Sequence, residues 1–255
     1  MKLILNADDF GLSESVNNGI VECFKSGVVT STTVMMNQKG IEHAIRLYKQ
    51  GAVPEIGLHF TVTSGRPLSD PTTVTSLVDE HGYFLKREIL MTHPVCEEEV
   101  YTELTAQYNA AINAGFEINH IDSHHFAGAY PPLKRAFVRF ANDTGLPVRR
   151  VDNITSGQDS LTVATPDAFD ASFFDTGVSL EQLKTLILNH KEKLSDGILE
   201  LMCHPSTGDN SDLNGITGYL EMRVVEKDLL ILPELADWLK EQNIECVGFN
   251  ALPKC

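Results

Sequence analysis

Apolar and polar positions follow two alternating rhythms along the chain: short apolar runs, and longer segments with apolar residues three or four apart. Residues 3–7 form a compact, mostly apolar run that stops at Asp8-Asp9 and reads as a first strand. Ser13 then offers an N-cap, Val16, Ile20 and Phe24 recur every fourth position, and Gly27 supplies a stop, which predicts a helix. Residues 28–36 are rich in Val and Thr and predict a second strand. A helix marked by Ile41, Ala44, Ile45 and Tyr48 follows, then a third strand over 55–60. Further helices are predicted over 97–114, 131–143, 179–193, 220–230 and 233–242, and further strands over 118–123, 148–151, 198–203 and 244–249. Three stretches break the rhythm, at about 61–93, 152–177 and 206–218, and carry turn chemistry such as Ser64-Gly65-Arg66-Pro67. Long excursions after strands are often binding loops.

Strict alternation of seven strands with helices predicts a parallel α/β sheet, and continuous apolar strands imply that both of its faces are covered. Periodicity alone leaves open whether the sheet closes into a barrel or stays open. The length of 255 residues admits one large domain or two small ones, and the absence of a convincing linker favours a single domain over 1–255. With 42% hydrophobic and 22% charged residues the chain is globular in composition. Its 20 basic and 35 acidic residues give a net charge of −15, which argues against a nucleic-acid partner or an anionic membrane surface. Five cysteines without a C-x-x-C pair read as reduced thiols. With no signal-peptide core and no long apolar segment, a cytoplasmic location is expected.

The chemistry lies where the strands end. The first predicted strand ends on Asp8-Asp9, the third on His59, the fourth runs into Asp122-Ser123-His124-His125, the fifth carries Arg149-Arg150 and the sixth ends on His204. In parallel α/β folds the carboxyl ends of the strands form the site. Asp9, His59 and His124 make a facial ligand set with positions left for water or substrate. Such a set suits zinc or another transition ion as well as it suits magnesium. Asp8 is the candidate general base, His204 the candidate acid, and Arg149 the partner that keeps Asp8 ionised. Asp122 and His120 share the parity of His124 and are candidate supports for it. His125, its neighbour on an extended strand, is expected to point the other way from the ligand face, and with Asp122 and Arg66 it is a candidate to support the ligands or to meet the substrate. Cys203 is expected to be buried and inert. Together these are the parts of a metal-dependent hydrolase.

Six blocks add to that reading: Asn6-Ala7-Asp8-Asp9-Phe10-Gly11-Leu12-Ser13, Val29-Thr30-Ser31-Thr32-Thr33, Gly57-Leu58-His59-Phe60, Gly65-Arg66-Pro67-Leu68, His120 to His125, and Glu200-Leu201-Met202-Cys203-His204-Pro205. In this order they resemble the motifs of the YdjC-like carbohydrate deacetylases. The resemblance implies a distorted, seven-stranded, TIM-like (β/α) barrel related to the NodB-type polysaccharide deacetylases. It implies removal of acetyl groups from N-acetylated sugars such as chitooligosaccharides, with magnesium as the usual cation, and a homodimer. On the matching positions Asp9, His59 and His124 become ligands, Asp8 the base and His204 the acid. The fourth block departs from the family in continuing with Phe126-Ala127-Gly128 rather than further histidines.

Two other functions stay open at this level. Cleavage of a glycosidic bond in a disaccharide or phospho-disaccharide would pair Asp8 with Asp122, leaving the histidines unexplained. A non-catalytic sugar-binding protein would need none of the five polar groups. A phosphorylated sugar would require a local basic pocket, for which Arg66 and Arg150 are the candidates.

Overall fold

The computed structural model describes residues 1–152, 161–208 and 210–253. The expected alternation is present. The order is β1 (Lys2–Phe10), α1 (Glu14–Ser26), β2 (Ser31–Val34), α2 (Ile41–Lys49), β3 (Ile56–Phe60), α3 (Arg87–Leu90), α4 (Glu97–Ala114), β4 (Ile118–Ser123) and α5 (Lys134–Thr144). It continues with β5 (Ala168–Asp170), α6 (Leu180–Leu194), β6 (Ile198–Cys203), α7 (Glu221–Leu230), α8 (Pro233–Glu241) and β7 (Glu245–Cys246). The caps form as the sequence predicts: the Val16 N–H donates to Ser13 Oγ at 3.3 Å, and Gly27 closes α1 in the left-handed region, where no Cβ is penalised.

All pairings within the sheet are parallel, in the order β4-β3-β2-β1-β6-β5, with β7 pairing the start of β1. Leu3, Leu5, Val34, Leu58, Ile121, Leu199 and Leu201 are fully buried, so helices cover the sheet as the apolar strands require. The sheet is a curled half-barrel. Among the described residues no ladder joins β4 to β5, so the described sheet does not close into the expected seven-stranded barrel. Among the described residues the chain between them makes one bridge to β4, Ile121 to Val148, and the Val148 N–H turns instead to Ala164 O at 3.0 Å.

The expected strand over 148–151 is therefore reduced to that bridge. Pro147 before it has no N–H to donate, which limits the pairing. The fifth strand is Ala168–Asp170, inside a stretch read as irregular, part of which (153–160) lies outside the described residues. No local apolar rhythm marks this strand. Its pairing with Leu199, Glu200 and Leu201 of β6 creates it. β2 and β7 are shorter than expected, and β7 gives way to a 3-10 turn at Phe249–Ala251. The four described cysteines are free, Cys255 lying outside the described residues, and no described helix is long and apolar enough to cross a membrane.

Candidate active site and metal centre

Two adjacent residues of an ordinary strand face opposite ways, yet Asp8 and Asp9 both reach the site. The β1–β2 register explains this. Ala7 pairs with Thr32 and Phe10 with Val34, so β1 carries one extra residue at Asp8-Asp9. Asp9 takes up the bulge with φ 74°, and both side chains line one cavity. A second irregularity lies between β3 and β4, where Ile56 pairs with Ile118 and Leu58 with Ile121. Gly57 makes room there for the His120 ring, since a Cβ would come within 2.5 Å of it.

Asp9 Oδ1 is buried and has no hydrogen-bond partner. His124 Nδ1 lies 3.1 Å from it and His59 Nε2 3.4 Å. The three ligand atoms lie within 4.8 Å of one another. Asp122 Oδ1 sits 2.6 Å from His59 Nδ1, which keeps a proton on that nitrogen and turns Nε2 towards Asp9, where it can bind a cation in exchange for its own proton. A buried, unpartnered carboxylate oxygen met by two imidazole nitrogens fits a divalent cation. Burial alone would lower the affinity of His59 for a second proton, but Asp122, Asp9 and Asp8 override it and raise its pKa to about 10. Burial would raise the Asp9 pKa, but Arg223 and His124 hold it well below the usual carboxylate range.

Asp8 is gripped by Arg149, whose Nη1 donates to Oδ2 at 2.8 Å and Nη2 to Oδ1 at 2.7 Å. Asn6 Nδ2 adds a third donor at 2.8 Å. Against the burial that would protonate it, this pairing keeps Asp8 far below an ordinary aspartate. Arg149 also reaches Asp122 Oδ2 at 3.0 Å and Glu200 Oε1 at 2.6 Å, so one guanidinium joins the base candidate to the residue that orients His59. Burial pushes Glu200 up to about 7 despite Arg149. His204 Nε2 lies 3.9 Å from Asp8 Oδ2, and burial brings its pKa down to about 4, against the pull of Asp8 and Asp9.

These groups line a cavity of about 650 Å³. All three irregular stretches contribute to it: Thr63, Ser64, Lys86, Arg87 and Glu88 from the first, Ala171 and Phe174 from the second, and residues 216–218 from the third, with Tyr219 just beyond it. Of the expected substrate residues, His125 lines the cavity, whereas Arg66 packs over the Tyr83 ring and Arg150 pairs with Asp152 at 3.1 Å. The basic side chains at the exposed edge are Lys86 and Arg87. His125 does not point away from His124. Its φ of 56° ends the extended chain, and the two rings lie 3.8 Å apart. His120 does not support His124 either; it is fully buried, stacked 3.7 Å from Phe249 and bonded to Asn119. Cys203 is buried, with Sγ on Asn6 O.

The model of the family described as YdjC-like protein matches residues 2–241. The chain belongs to the YdjC-like family. A carbohydrate deacetylase of Brevibacillus brevis is 35% identical over 255 residues, which cover 99% of this chain and 100% of that one. A crystal structure from Enterococcus faecalis V583, described as a proposed cellobiose-phosphate cleavage protein, is 33% identical with a TM-score of 0.87 over 98% of each chain. A Streptococcus mutans CE4 esterase, 12% identical with a TM-score of 0.53 over 97% of this chain and 85% of that one, shares the fold.

This YdjC-like chain adds residues that sequence reasoning missed. Arg223 on α7 donates from Nη2 to Asp9 Oδ2 at 2.6 Å, and Glu226, one turn on, accepts from the His204 N–H and from the Tyr219 hydroxyl. Burial pushes Glu226 up to about 7. The only signal was their i, i+3 spacing, which puts both on one helix face. Tyr219 stacks 4.2 Å from Phe174, and both rings flank His204.

Proposed function

We propose that this protein is a metal-dependent deacetylase that hydrolyses the N-acetyl group of an acetylated sugar, with chitooligosaccharides as the substrate class. The observation that carries the reading is the unpartnered Asp9 Oδ1 met by His59 and His124, one residue from an Asp8 held ionised by Arg149. Full-length relatives named carbohydrate deacetylase support it.

Asp9, His59 and His124 would hold one divalent cation, with magnesium and zinc as the competing choices. When bound, it supplies Lewis acidity to the acetyl carbonyl and to the attacking water. Asp8 accepts the proton of that water. Arg149 holds both Asp8 oxygens, so the base keeps its orientation through the reaction. As the tetrahedral centre collapses, the departing amine needs a proton, and His204 gives it. His204 is neutral at pH 7, so it gives only a proton it has first received; Asp8 Oδ2, 3.9 Å away, puts both groups on one proton path. The products are acetate and a free amino sugar. A phosphorylated sugar would meet Lys86 and Arg87 at the cavity edge.

Glycosidic cleavage is not favoured. It needs two carboxylates about 5–10 Å apart across the bond. Asp8 and Asp122 instead share one Arg149 nitrogen, at 2.8 and 3.0 Å, and Asp122 does not line the cavity. Incubation of the metal-loaded protein with N-acetylated chitooligosaccharides, followed by acetate assay and mass spectrometry, tests the reading. Acetate with an unshortened chain is expected; shortened chains without acetate would overturn it.

A further inference from the structure

Arg223 stands in the cavity wall with a side chain only 3% exposed. Nη2 is spent on Asp9 Oδ2 at 2.6 Å, and Nε on the Tyr219 carbonyl at 2.9 Å. Nη1 is buried and has no partner. Leaving a buried donor of a charged group unmet costs more than most polar burials, so this nitrogen calls for a ligand. The Asp9 carboxylate is thereby divided: one oxygen belongs to Arg223, and the other is left for His59, His124 and the cation they would hold. The unspent Nη1 belongs to the guanidinium bound to this same carboxylate, next to where the acyl group would react.

Among the described residues no other fixed cation in the cavity has a donor to spare; His204 Nδ1 is buried and unpartnered too, but it belongs to an imidazole and not to a fixed cation. Arg149 uses Nε, Nη1 and Nη2 on Glu200, Asp8 and Asp122, and it does not line the cavity. Lys86 and Arg87 are exposed. Asp8 and Asp9 are acceptors, and the ring nitrogens of His59 face Asp122 and Asp9.

We infer that Arg223 is a catalytic residue whose Nη1 donates to the acyl oxygen of the substrate, and later to a carboxylate oxygen of the acetate product. A preplaced donor aimed at developing oxyanion charge typically contributes 10²–10³ in kcat. The inference rests on the deacetylase reading for its substrate. Its geometry rests on the divided Asp9 carboxylate and the unmet donor.

The test compares wild type, Arg223→Met and Arg223→Lys, all loaded with Mn²⁺. Mn²⁺ affinity is read by electron paramagnetic resonance and acetate affinity by calorimetric titration. The wild type should bind acetate, and Arg223→Met should bind it at least tenfold more weakly while its Mn²⁺ affinity changes less than threefold. Arg223→Lys retains the charge but has only one nitrogen. It should keep Mn²⁺, recover part of the lost kcat, and still bind acetate less tightly than wild type, so the inference stays testable if the methionine variant fails to fold. Unchanged acetate affinity in a folded variant, equal loss of Mn²⁺ and acetate, or no acetate binding by the wild type would each overturn the role. Failure of the wild type to release acetate from any N-acetylated sugar would instead overturn the deacetylase reading, and the two binding titrations would still decide Arg223.

Discussion

Asp8→Asn separates folding from chemistry at one atom pair. Asp8 receives three donors, from Arg149 Nη1 and Nη2 at 2.8 and 2.7 Å and from Asn6 Nδ2 at 2.8 Å. An asparagine is nearly isosteric, but in either amide orientation its NH₂ faces at least one of these donors. Breaking a buried pair on one side typically costs about 3–5 kcal/mol. With an m-value of about 3 kcal/mol/M, the urea midpoint should fall by roughly 1–2 M. The sign with pH follows from the depressed pKa. The carboxylate's contribution is complete above its unfolded value near 3.8 and is lost as pH falls towards the lower folded value, so the gap between the proteins narrows only below about pH 4. If Asp8 is the base, kcat for acetate release should drop by about 10²–10⁴, with the metal still bound by Asp9, His59 and His124. Urea melts, metal analysis and an acetate assay on one preparation check all three. A folded, metal-loaded variant with kcat within threefold of wild type would refute the base. A stability loss below about 1 kcal/mol would refute the buried ion pair as described.

Three further predictions concern the cation, its ligand His59 and the packing beneath them. Without metal His59 carries a second proton up to about pH 10, and a cation on Nε2 must displace it; affinity should therefore rise about tenfold per pH unit between pH 7.5 and 9, with one proton released in calorimetry, and a flat profile would show that His59 is not a ligand. In the metal-free protein the raised pKa works the other way: the contribution of His59 to stability is complete below about 6.5 and is lost as pH rises towards 10, which urea melts across that range should show. Gly57→Ala would place a methyl within 2.5 Å of the buried His120 ring and should destabilise the fold by about 1–3 kcal/mol; a neutral effect would mean that β3 and β4 slide apart easily.

Much of the site was legible because a strand that is apolar along its length stands out where it ends in Asp, His or Arg. Asp8, Asp9, His59, His124 and His204 were found in this way, and all five line one cavity. What could not be read was how neighbouring residues share a face. The bulge at Asp9 and the left-handed turn at His125 both overturn strict alternation, and neither has a glycine to announce it. Arg223 and Glu226 lie in a predicted helix but were not singled out, since periodicity cannot tell a solvent-facing side from one facing a polar cavity. Glu200 sits inside a fully buried strand, where its charge and its place at the head of the sixth block gave no hint of its bond to Arg149. The β5 strand exists through its partner, and so no local pattern revealed it.

The central claim is that one divalent cation on Asp9, His59 and His124 is required for acetate release. Metal content and acetate release measured on the same samples of wild type and His59→Ala, before and after chelation and reconstitution, test it most directly. One metal per chain with turnover in the wild type, loss of both on chelation, recovery of both on reconstitution, and neither in His59→Ala are the predicted results. Full acetate release from the metal-free wild type, or from His59→Ala, would contradict the account.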